Sequence, residues 1–163
     1  MMSLSKRSIC VASACLVPFF TLVSPAWLSL LGIAPCWSVL WLLPWSLEEG
    51  PLSAVLAGLC LGLVMDGITV EGFSQVPGLI AIGFWWGRIG QRSPKIDGIF
   101  SLGLFACIGT FFLGISIWVQ IVALNFEGLG TWLNAWALKT VLSQSLVTGL
   151  VAPMICSWLI LLW

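Results

Sequence analysis

Histidine and tyrosine are absent from this chain of 163 residues, and charge is scarce: six Lys+Arg and six Asp+Glu, 7% of the total, with a formal net charge of zero. Without histidine the chain lacks the commonest general base and the commonest metal ligand, and without tyrosine it lacks a phenolic acid. A zero net charge provides no basic field for holding nucleic acid, so that class of partner is set aside. CxxC pairs are missing too. The six cysteines, at 10, 15, 36, 60, 107 and 156, are scattered through apolar segments, whereas a zinc or disulfide framework needs tight spacing. They read as small buried hydrophobes. No nucleophile stands beside a base, no phosphate loop runs into a lysine, and no carboxylate pair has a defined role, so no catalytic residue, cofactor or metal site is expected and enzymatic activity is not.

What fills the chain instead is apolar: 60% of residues are hydrophobic and the mean hydropathy is +1.13, against about 25% charged residues in an ordinary soluble domain. Such a chain cannot cover a globular surface with polar groups. It reads as a single polytopic membrane domain, 1–163, whose solvent is mostly lipid.

The forty residues from Ser8 to Leu47 carry no charge, about twice what one helix needs to cross a bilayer. They must fold back, and Gly32 to Pro35 is the place, because glycine and proline punctuate helices and a residue before proline avoids the helical region. Ser24-Pro25-Ala26 resembles a signal-peptide cleavage site, but the apolar run continues past it and the segment is expected to be retained. Helices are expected near 8–30, 36–47, 51–67, 72–90, 98–124 and 132–161, a compact all-α bundle of about six transmembrane helices. With the N-terminus in the cytoplasm, six crossings return Lys6, Arg7, Arg88, Arg92 and Lys95 to that side and leave Asp66, Glu71 and Glu127 outside, as the positive-inside rule requires. The C-terminus is then cytoplasmic as well. Among eleven tryptophans, Trp27, Trp37, Trp45, Trp85, Trp86, Trp132 and Trp136 fall near expected helix ends and read as headgroup-level anchors.

One segment stands out. Ala54, Gly58 and Gly62 recur every four residues, a small-residue face on which another backbone can approach closely, and Asp66 continues that face. Gly83 and Gly87 repeat the arrangement in the next helix, as do Ser145 and Gly149 in the last. Packing within the chain is the favoured use of these stripes. A carboxylate in such a segment is expensive to desolvate, and Lys139 is expected at a similar depth, so an intramembrane ion pair of Asp66 with Lys139 is expected. The competing reading has Lys139 snorkelling, with Glu127 near it. The amides Gln75, Gln120, Asn125, Asn134 and Gln144 are expected to bond between helices.

A proline-led short helix (Pro35 to Leu47), the turn Glu48-Glu49-Gly50, then Gly58-Leu-Cys-Leu-Gly62-Leu-Val-Met-Asp66 with Gly72 shortly after, resembles the bacterial rod shape-determining MreD family. Gly83-Phe-Trp-Trp-Gly87-Arg88 is similar to that family's next helix. Cys36 and Trp37 follow Pro35 where the family often has an acidic residue. The resemblance implies a non-catalytic component of the cell-elongation complex in the bacterial inner membrane. Its partners would be an MreC-type single-span shape protein, MreB filaments, RodA and a class B penicillin-binding protein. It also implies a fold similar to the substrate-binding subunits of energy-coupling-factor vitamin transporters. That likeness supplies the alternative, a vitamin-capturing subunit with an outward cavity near Asp66, Glu71 and Glu127, although Ala12 and Ala14 do not form the docking face such subunits use. Nickel or cobalt is disfavoured by the lack of histidine.

Overall fold

The computed structural model describes residues 12–23, 34–69, 73–92, 99–124 and 135–162, apart from the side chains of 99, 100, 124, 135–137, 161 and 162. Every element among them is helical: α1 Leu16–Val23, α2 Trp37–Glu49, α3 Pro51–Ile68, α4 Val76–Arg92, α5 Ile99–Leu124 and α6 Ala135–Leu162. Among the described residues three helices, α3, α5 and α6, are long and apolar enough to cross a membrane.

Two antiparallel hairpins, α3 with α4 and α5 with α6, make the closest pairings, and α2 packs against each of the other five helices. Its sequence explains the central position. From Ser38 to Ser46 every residue is buried, and a helix that is apolar all round has no face to offer water. Thirteen residues span only about 20 Å at 1.5 Å each, short of a bilayer's roughly 30 Å hydrocarbon core. Surrounded by protein, α2 has no need to match that thickness. Its two serines bond locally, Ser46 Oγ donating to Leu43 O at 2.8 Å and Ser38 Oγ pairing with Cys36 Sγ at 3.3 Å.

Proline inside α2 leaves a carbonyl to be satisfied elsewhere. Pro44 has no N–H for Leu40 O, and the Cys156 thiol on α6 donates to that oxygen at 3.5 Å. Pro153 does the same to Gly149 O in α6. A Cβ at Gly103 would sit 2.8 Å from that oxygen, so α5 passes against the freed carbonyl at a glycine, close enough for a Cα–H contact.

Gly50 alone joins α2 to α3. Its φ of 90° lies where side chains are not tolerated, and Pro51 follows at the first position of α3, where its fixed φ suits helix initiation.

The outside of α3 carries the large residues Leu52, Leu56, Leu63 and Val64, and the inside carries Ala54, Gly58 and Gly62 together with Leu61 and Met65. The small residues mark where a neighbouring backbone comes close, and large apolar residues on the outside suit a lipid solvent.

Two expectations from the sequence need correction. Trp45 and Trp86 are not headgroup anchors: both are buried, Trp45 stacked on Trp41 at 5.5 Å with its Nε1 donating to Ser53 Oγ, and Trp86 lying against Gly109. Of the pair at 85 and 86, only Trp85 faces outward, because successive helical residues point about 100° apart. Nor are the cysteines uniformly buried: Cys36 and Cys156 are, while Cys15 and Cys60 are exposed, on a surface whose neighbours are equally apolar. Trp37 is half-buried and stacks on Phe20; Trp27 and Trp132, and the side chain of Trp136, fall outside the described residues.

Candidate functional site

The α3–α4 hairpin is held by backbone proximity along its whole length. A Cβ at Gly58 would lie 2.7 Å from Leu79 O, one at Gly62 2.8 Å from Val76 Cα, and one at Gly83 2.8 Å from Ala54 O. Gly87 meets Pro51 at the far end. Ala54 therefore faces Gly83, Gly58 faces Leu79 and Gly62 faces Val76, all within this chain. In the second hairpin, Gly149 meets Cys107 and Gly103 in the same fashion.

Asp66 closes the α3–α4 hairpin at its other end. Its Oδ2 accepts from Ser74 Oγ at 2.5 Å and its Oδ1 from Gln75 N at 2.8 Å, while Val76 N donates to Ser74 Oγ at 3.2 Å. The first amides of α4 have no partner within the helix, and a carboxylate there satisfies one directly and favours the positive end of the helix dipole. Gln120 of α5 adds the third helix: Ser74 N donates to its Oε1 at 3.0 Å, and its Nε2 donates to Ser74 O at 2.8 Å. The backbone N–H and C=O of one residue, Ser74, thus both bind one side-chain amide. The junction joins α3, α4 and α5 through Asp66, Ser74, Gln75 and Gln120.

The expected partner of Asp66 was Lys139, and the structure does not bring them together. Lys139 lies exposed on α6, a helix that packs chiefly on α5, whereas α3 packs chiefly on α4. The carboxylate is compensated by hydrogen bonds from a helix N-terminus instead of by a cation. A similar expected depth does not make two residues neighbours when their helices pack chiefly on other partners.

Gln120 bonds between helices, as does the hydroxyl of Thr148, which accepts from Cys36 N at 3.1 Å. That bond ties α6 to the start of α2. Gly72, Glu71, Glu127, Asn125 and Asn134 lie outside the described residues. Ser74 escaped notice in the sequence, although a serine three residues before Pro77 is a helix-start signal. The same signal explains why α4 begins at Val76 instead of near 72.

Chemically, this site holds helices. Both oxygens of Asp66 are engaged, and among the described residues no three His, Cys, Asp or Glu side chains converge as a metal site would need. No protein-family model, curated protein or solved structure matches the chain.

Replacing Asp66 should act through α4 and not through Lys139. Asp66→Ala is expected to destabilise the detergent-solubilised protein by about 2 kcal/mol and Asp66→Asn by about half of that, since the amide keeps one acceptor. Lys139→Ala should leave thermal stability unchanged, and Asp66→Lys with Lys139→Asp should be no more stable than Asp66→Lys alone. Recovery of stability in the double variant, followed by size-exclusion after heating, would restore the ion-pair reading.

Proposed function

We propose that this protein is a non-catalytic, multi-pass component of the bacterial inner membrane that scaffolds the cell-elongation complex. In this reading it binds an MreC-type single-span shape protein and couples MreB filaments to RodA and a class B penicillin-binding protein. The observation that carries the proposal is the α3–α4 hairpin. The G-x-x-x-G-x-x-x-D run from Gly58 to Asp66, on which the resemblance to the MreD family rests, lies against the backbone of α4 at Leu79 and Val76 and ends at the start of α4.

The polar groups favour a scaffold over a ligand-capturing subunit. Asp66, Ser74 and Gln120 bond to one another, so the carboxylate around which a vitamin cavity was expected is already occupied. With the N- and C-termini cytoplasmic, Arg88 and Arg92 lie on the inner side and the Asp66 junction on the outer.

Purification of the tagged full chain in mild detergent tests the reading. Recovery of an MreC-type protein or a wall synthase is the expected result. Recovery of transporter ATPase subunits, or of a tightly bound vitamin, overturns it.

A further inference from the structure

On the outward side of α4, a groove of about 230 Å³ runs between α4 and α5. Its walls are Pro77, Ala81, Trp85, Phe112 and Ser116, with Ile82 and Gly78 as the buried floor. The lining is apolar except for Ser116, and the volume is below the roughly 300–1,000 Å³ of small-molecule pockets. A small volume with an apolar lining suits a single extended hydrocarbon chain.

The same stripe of α4 ends in two arginines. Arg88 is eleven residues beyond Pro77 and Arg92 eleven beyond Ala81, close to three whole turns in each case, so both continue the groove-bearing face. The opposite face, with Gly83, Gly87 and Gly90, packs against α3 and the end of α2. Both arginines are exposed. Arg88 lies over the exposed Phe84 ring at 5.7 Å, a cation–π contact that leaves its charge unneutralised, and no carboxylate of the described residues pairs with either arginine.

From Arg88 to Ala81 is about 10 Å along the axis, and from Arg92 about 16 Å. Half of a bilayer's hydrocarbon core is about 15 Å. A lipid whose phosphate rests on the two guanidiniums would therefore lay an acyl chain across the Trp85–Phe112 pair, whose rings are 6.0 Å apart, and into the groove. We infer that the α4–α5 groove with Arg88 and Arg92 is a binding site for one anionic phospholipid of the cytoplasmic leaflet. The arginines supply selectivity for a negatively charged headgroup, and the groove supplies residence time for the chain. The site rests on membrane insertion, and its leaflet on the cytoplasmic placement of the termini, but neither rests on the identity of the complex the protein joins.

The test uses the full chain reconstituted in phosphatidylcholine vesicles with a trace of spin-labelled phosphatidylglycerol or, in parallel, spin-labelled phosphatidylcholine. Flotation of protein with the vesicles reports insertion separately, and protein left at the bottom overturns the membrane reading and this site with it. For the inserted protein, a motionally restricted signal selective for phosphatidylglycerol is expected. Selectivity should fall about fivefold in Arg88→Ala and again in Arg92→Ala. Ala81→Phe, which fills the groove at an exposed position and leaves both arginines, should remove the restricted signal. Selectivity unchanged in the arginine variants overturns the site. So does a restricted signal unchanged in Ala81→Phe, which would reduce the effect to surface attraction. If Ala81→Phe leaves the lipid signal intact and instead releases a co-purifying single-span protein, the groove belongs to a partner helix.

Discussion

Gly58→Leu should abolish recovery of a monodisperse protein. At this position even a Cβ would stand 2.7 Å from Leu79 O and 3.0 Å from Leu79 C. Both are main-chain atoms of α4 and cannot rotate aside as a side-chain tip can. Accommodating leucine requires moving α3 away from α4, which also strains the contacts at Gly62, Gly83 and Gly87 and pulls Asp66 from Ser74 and Gln75. Overpacking in a yielding core costs about 1–3 kcal/mol; against backbone on both sides the loss is expected at or above the top of that range. Gly67 is the internal control. It lies in the same helix with nothing within 4 Å of its added Cβ, so Gly67→Ala should be neutral or stabilising by up to about 1 kcal/mol. The pair is read by yield and by thermal unfolding of the detergent-solubilised protein. Equal behaviour of the two variants would mean that the hairpin is not held by close backbone approach.

Trp86→Ala should be comparably severe for the opposite reason. Trp86 is fully buried where α4 meets α5, and the edge of its ring fills the space that Gly109 leaves open, so closely that a Cβ at 109 would overlap Trp86 Cζ2 and Cη2. Truncation removes the filler, while the helices around it are fixed by their own glycine contacts and cannot collapse into the gap. Large-to-small changes of this kind cost about 3–5 kcal/mol. Trp86→Phe should cost less than the lost volume alone suggests, because Trp86 Nε1 is buried without a hydrogen-bond partner and phenylalanine carries no such donor. Trp85→Ala, one residue away but exposed, should leave thermal stability nearly unchanged. If Trp85→Ala and Trp86→Ala unfold at the same temperature, the inward placement of Trp86 is wrong.

Much of the helical layout was legible in the chain, through signals that act locally. Expected spans of 51–67 and 98–124 stand beside α3 at Pro51–Ile68 and α5 at Ile99–Leu124, because charges and the Gly50-Pro51 break interrupt apolar runs at these points. The small-residue stripe of Ala54, Gly58 and Gly62 was legible for a related reason: a spacing of four residues assigns a face to a helix without reference to any partner. The first-turn chemistry of α4 was legible in principle, through Ser74 and Pro77, and was missed because Gly72 drew the boundary forward.

What could not be read was which helix lies beside which. Asp66 and Lys139 were expected at a similar depth, which follows from counting residues along each helix, yet neighbourhood in the plane of the bundle depends on how all the helices choose partners. Gln120 proved to be the long-range partner because α5 packs on α4, and nothing in its own surroundings marks it above Gln75 or Gln144. The tryptophans make the same point, since Trp85 and Trp86 are identical in type and adjacent in sequence and only the packing of α5 on α4 separates a core residue from a surface one. Composition and spacing by themselves determined an all-helical, lipid-compatible chain with a small-residue face on α3. The tertiary structure alone decided that α2 sits at the centre and that the Asp66 carboxylate goes to the N-terminus of α4. It also decided that a groove opens above two arginines. The physical reason is that hydrophobicity and propensity act along one chain segment at a time, whereas close packing and hydrogen-bond geometry are properties of pairs of surfaces.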